Sequence, residues 1–175
     1  RFDASVRTKF YDKNGNLLTS AADPEYIAPH CKKYEDYDRV MDAGASSKNI
    51  YFIRYADLIL LYAECLLAEN DLAGAKQQVI RVRERAKASA PVTVSNNTEM
   101  LDFIYEERMR ELGMEGWRRM DLIRRGADYF AAQVDMYNPF AKGNVQPYHA
   151  FYPIPTNEIN MNDGIGPEDQ NEGYK

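Results

Sequence analysis

What this 175-residue chain has little of narrows its function before any motif is read. No apolar run approaches the roughly 20 residues needed to cross a bilayer; the longest, Leu58 to Ala63, stops at Glu64. Positive charge is not in excess, since 22 basic and 27 acidic side chains leave a net charge of −5. A field favouring nucleic acid is therefore absent. The two histidines, His30 and His149, lie far apart without metal-ligand spacing, so neither a metal nor any other cofactor is expected. Of the two cysteines, Cys65 falls in an apolar helical pattern, where a buried inert thiol is expected. Cys31 falls in a loop-like stretch, and no disulfide between the two is expected. The chain opens on Arg1-Phe2-Asp3 without methionine or leader, which reads as a piece of something longer.

Tyrosine, by contrast, is plentiful at thirteen copies. An aromatic with a polar tip suits half-buried packing and contact with flat polar ligands such as sugars. Asn14-Gly15 between two short β-prone runs predicts a small hairpin near the N-terminus. A calcium loop is excluded there, because its glycine would have to be the sixth residue and here comes fourth from Asp12. Residues 21–50 read as surface loop.

From Tyr55 the pattern turns helical. Ala56 to Glu69 is apolar almost all round, predicting a helix buried on most faces. Asn70-Asp71 supplies a break and an N-cap, after which Leu72, Ala75, Val79, Val82 and Ala86 recur at helical spacing. So short a turn folds the two helices back on each other. A third helix is predicted from about Thr98 and a fourth from about Gly116 to Arg125, closed by Gly126. The fold class is thus mainly α, two tetratricopeptide-like hairpins in a single domain, with a helical core over about 54–126. Residues 127–175, rich in proline, are expected to form an ordered loop and an extended tail over the helices.

Glu107 to Gly126, ERMRELGMEGWRRMDLIRRG, concentrates the charge. Read as a helix, Glu107, Glu111 and Glu115 fall four residues apart, while Arg110, Arg118, Asp121 and Arg124 stand at three-residue reach of an opposite charge. Such pairing lowers a carboxylate pKa, the wrong direction for a general acid, and adjacent helical turns leave no cleft for a substrate. The stretch reads as an ionic scaffold of Glu107, Arg108, Arg110, Glu111, Glu115, Arg118, Asp121 and Arg124 tying the third helix to the fourth. Trp117 is expected to seal that junction. The weak ligand candidates are loop tyrosines: Tyr26, Tyr37, Tyr137 and Tyr148.

RYADLILLYAE at Arg54 to Glu64, VRERA at Val82 to Ala86, the charged stretch, and YPIPTNEI followed by QNEGY together resemble the C-terminal region of the SusD/RagB family. Three positions depart from the family pattern: Ile80 for a frequent Asn, Lys87 for a common Gly, and Glu172 for the usual Pro. The resemblance implies a non-catalytic, surface-exposed outer-membrane lipoprotein, its lipid anchor outside this chain. Such a protein binds glycan and delivers it to a TonB-dependent, SusC-like transporter. A peptide ligand, or a helical module that binds only protein, is the alternative.

Overall fold

The structure, a computed structural model, describes residues 5–11, 14–18, 30–34, 46 and 48–175. The architecture is mainly helical, and the chain divides into two compact units, Arg1–Glu115 and Gly116–Lys175.

The first unit begins with two short antiparallel pairings. β1 (Val6–Arg7) pairs with β4 (His30–Cys31), and β2 (Phe10–Tyr11) with β3 (Leu17–Leu18), Phe10 opposite Leu18. The predicted Asn14-Gly15 turn joins β2 to β3, with Gly15 at φ 83°, a left-handed conformation that glycine adopts without strain.

Helix α1 spans Tyr55–Ala68 and α2 Leu72–Arg85. Ala56, Ile59, Leu60, Ala63 and Leu67 recur on one stripe of α1 and pack against Ala75, Val79 and Val82 of α2. The opposite face of α1 is not buried as its composition suggested: Tyr55, Leu58 and Tyr62 are each more than half exposed. Cys65, expected to be buried, is exposed and free. Composition alone could not separate these faces, because the outward one is also apolar.

Both helices end in the same device. The N–H groups of Asn70 and Asp71 bond back to the carbonyls of Leu67 and Leu66, and those of Lys87 and Ala88 to Glu84 and Arg83. These are Schellman closures, whose first residue beyond the cap must turn left-handed: Asn70 at φ 62° and Lys87 at φ 52°. Asp71 starts α2 as predicted, accepting from the Gly74 N–H at 2.8 Å. Helix α3 (Asn97–Glu111) starts where the Asn96 side chain accepts from the Glu99 N–H at 2.9 Å. Met100 and Ile104 of α3 complete the core, each fully buried. Burying a side chain of that size contributes about 1.5–3 kcal/mol.

The second unit holds α4 (Arg118–Arg124), α5 (Ala127–Tyr137) and α6 (Thr156–Met161). Two of these helices correct the expectation of a loop and tail after Gly126. Gly126, at φ 104°, ends α4 and immediately precedes α5. The inward residues Phe130 and Ala131, with Ala127 and Val134 half-buried, have the i, i+3, i+4, i+7 spacing of a helix. The prolines of YPIP do hold an extended course, Pro155 at ψ 138°, but Thr156 onward turns into α6. Leu122, Phe130 and Ala150 form this unit's small core.

The tail motif is held by side-chain clamps on the backbone. Gln170 acts as a mock strand, its Oε1 accepting from the Ile154 N–H at 2.7 Å and its Nε2 donating to the Ile154 carbonyl at 2.9 Å. Asn171 donates to the Tyr152 carbonyl and the Tyr174 hydroxyl to that of Phe151. QNEGY thereby satisfies backbone groups that the proline-interrupted YPIP segment does not satisfy in a regular ladder.

Candidate functional site

The first unit buries several charged side chains: Asp57, Arg83, Glu107, Arg108 and Glu111. Arg108 on α3 is 2% exposed and stands 2.7 Å from Asp57 on α1. Glu107, with no exposure, accepts from Arg83 of α2 at 2.7 Å and from Arg110 at 3.1 Å. Arg85 of α2 reaches Glu111 at 2.5 Å. A lattice of ion pairs therefore ties α3 to both helices of the preceding hairpin. Sequence spacing revealed the Glu107–Arg110 rung but not the cross-helix partners, since Asp57, Arg83 and Arg85 lie 24 or more residues from their mates.

Glu115 does not continue the helical four-residue spacing of Glu107 and Glu111. Helix α3 ends at Glu111, Met114 turns left-handed at φ 67°, and Glu115 therefore sits in the turn beyond. There the Arg54 guanidinium grips it twice, Nε to Oε2 and Nη2 to Oε1, both at 2.8 Å. Lys33 adds a bond of 2.5 Å to the same carboxylate and one of 2.8 Å to the Glu111 carbonyl. Arg54 also donates to the Glu111 side chain and carbonyl, each at 3.0 Å. Burial opposes ionisation of Glu115. The hydrogen bonds and charges of Arg54 and Lys33 outweigh that burial and hold its carboxyl below the usual carboxylate range. A carboxylate so held keeps no proton at neutral pH to give to a leaving group.

In the second unit, Asp121 is buried and accepts from Arg124 at 3.1 Å, as the spacing predicted, and Arg118 donates to Gln133. Arg119 bonds the carbonyls of His149 and Ala150 and stacks over the Tyr152 ring with its carbon 4.2 Å from the centroid. Trp117 is half-buried at the start of α4.

Two clefts accompany these groups. One, of about 550 Å³ in the first unit, has Tyr34 and Tyr51 on its walls. Its charged lining is Lys33, Arg54, Arg85, Lys87 and Arg110 against Glu111 and Glu115. The other, of about 720 Å³ in the second unit, is lined by Pro147, Tyr148, Phe151, Asn171 and Glu172. Of the four tyrosines singled out in the sequence, Tyr148 lines this second cleft, packed against Gly173 and edge-on to Tyr174. Tyr137 is more than half exposed at the end of α5, while Tyr26 and Tyr37 lie outside the described residues. Tyr34 and Tyr51 stand out in the sequence only by their nearness to Lys33 and Arg54, which is the one local signal that they line a cleft. Among the described residues no cluster of His, Cys, Asp and Glu is arranged to hold a metal, and no helix is long and apolar enough to cross a membrane.

A helical hairpin locked by buried arginine–carboxylate pairs, and a proline-rich tail clamped by QNEGY, define a helical scaffold of the SusD type. The SusD family model matches residues 4–174, and the chain belongs to that family. It is 37% identical over 134 residues to SusD-like protein P25 of Formosa agariphila, covering 74% of this chain and 25% of that protein. It is 32% identical over 142 residues to the starch-binding protein SusD of Bacteroides thetaiotaomicron, covering 78% of this chain and 23% of that protein. The chain thus spans about a quarter of the length of these curated relatives. No solved structure gives a significant match.

Proposed function

We propose that the protein containing this chain binds a glycan at the cell surface without cleaving it and passes it to a SusC-like, TonB-dependent transporter in the outer membrane. The observation that carries this reading is the match to the starch-binding SusD over most of the chain. The geometry supports it: the carboxylates of the charged stretch are engaged by arginine and lysine, while two open clefts present tyrosine and phenylalanine rings of the kind that stack on sugars. The attachment proposed is a lipid anchor in a part of the protein outside these residues.

Calorimetric titration of the intact protein with soluble oligosaccharides, followed by a reducing-end assay on the same samples, tests this. Saturable heat without new reducing ends is expected; new reducing ends, or no binding heat with any saccharide, would refute it. A second reading, a module that binds only protein, draws on the exposed apolar side chains Ile50, Phe52, Tyr55, Leu58 and Tyr62. Co-purification of the transporter together with absence of saccharide heat would favour it.

A further inference from the structure

Among the described residues, the lining of the first-unit cleft includes five cations and two carboxylates, in a chain whose net charge is −5. Four of the cations are at least partly engaged. Arg54, Arg85 and Lys33 hold Glu111 and Glu115, and Arg110 holds Glu106 and Glu107. Lys87 is different. Its ammonium has no partner among the described residues, and its backbone is at φ 52°, the left-handed turn required to close α2. Glycine fits such a turn without strain, whereas a side chain there is disfavoured. A charged residue kept at a strained backbone position in the lining of a cleft points to a use beyond closing the helix.

The chemistry of the lining defines that use. With both of these carboxylates occupied by Arg54, Arg85 and Lys33, the described lining has a surplus of positive charge, and Lys87 offers an ammonium donor that no described residue engages. The walls add Tyr34 and Tyr51. Partial burial, and then Glu115, push the Tyr34 phenol above its ordinary pKa, so its hydroxyl stays protonated and available as a donor. We propose that this cleft binds an anionic group on a saccharide, a uronate carboxylate or a sulfate ester, with Lys87 as its counter-charge and the tyrosine rings against the sugar. The proposal rests on the glycan reading above and names the class of sugar it would select.

The test is titration calorimetry of the intact protein with tetragalacturonate, a sulfated galacto-oligosaccharide and neutral maltotetraose, at low and high NaCl. Tighter binding of at least one charged probe than of maltotetraose is expected, weakening with salt. Which charged probe binds distinguishes carboxylate from sulfate. Lys87→Gly, which relieves the backbone and keeps the fold, is expected to weaken the charged probe by about tenfold, the loss of one charge-assisted contact. Lys87→Arg is expected to retain the binding. Equal affinity for charged and neutral probes, or unchanged affinity in Lys87→Gly, would overturn the proposal. Retained maltotetraose binding in that case would leave the glycan reading standing.

Discussion

Replacing Arg54 by methionine keeps most of the aliphatic stem and removes four hydrogen bonds at once: two to Glu115, one to the Glu111 carboxylate and one to its carbonyl. Each charge-assisted bond is worth about 1.5–3 kcal/mol in isolation. Their sum overstates the loss, because Lys33 still holds Glu115, Arg85 still holds Glu111, and the Arg54 side chain is itself 23% exposed. Breaking a buried pair typically costs about 3–5 kcal/mol, and solvent access reduces that here to about 2–4 kcal/mol. For a chain of this length the melting midpoint should fall by roughly 5–15 °C. Scanning calorimetry across pH provides the assay. Glu115 is ionised more easily in the fold than in the unfolded chain, so its contribution is present above the ordinary carboxylate pKa and lost as pH falls through its lowered one. The gap between wild type and variant should therefore be widest near neutral pH and close in acid. A midpoint change below about 1 °C at neutral pH, or a gap that widens in acid, would refute the reasoning.

The other predictions concern the core, the tail and the same carboxylate. Leu60→Ala empties a fully buried site and should cost about 2–5 kcal/mol in denaturant unfolding, whereas Leu58→Ala, on the half-exposed face of the same helix, should cost under about 1 kcal/mol. Deleting residues 151–175 removes both YPIP and its clamps and should lower the melting temperature sharply. Gln170→Ala alone leaves two backbone groups of Ile154 without their partners and should cost about 1–3 kcal/mol by the same measurement. Glu115→Gln should flatten the fall in stability below the carboxylate range; an acid titration with unchanged slope would contradict the role given to its lowered pKa.

Local chemistry was legible in the sequence wherever its determinants were close together. The Asn14-Gly15 turn, the Asp71 cap and the inward stripe of α2 follow from short-range rules and stand in the structure. Helix α5 was obscured because Gly126 looks like a terminator, although the same left-handed glycine can end one helix and begin the next. The exposed face of α1 and the thiol of Cys65 illustrate a different limit: an all-apolar helix does not declare which side has a neighbour.

The charged stretch shows both sides at once. Its rungs at three-residue spacing are present at Glu107–Arg110 and Asp121–Arg124. Its other contacts reach Lys33, Arg54, Arg83 and Arg85, partners far away in sequence that only folding brings near. The cationic cleft is equally non-local, assembled from residues spread between Ser5 and Glu115. Lys87 was visible only as an unusual residue at a helix end, and the backbone angle explains why it is unusual.

The most direct measurement of the proposed function is native affinity electrophoresis of the intact protein through gels containing a panel of neutral, uronic-acid and sulfated polysaccharides. Binding without turnover predicts retarded mobility in at least one gel and an intact polymer around the band. Unretarded migration in every gel, or a cleared zone of degraded polymer, would contradict it.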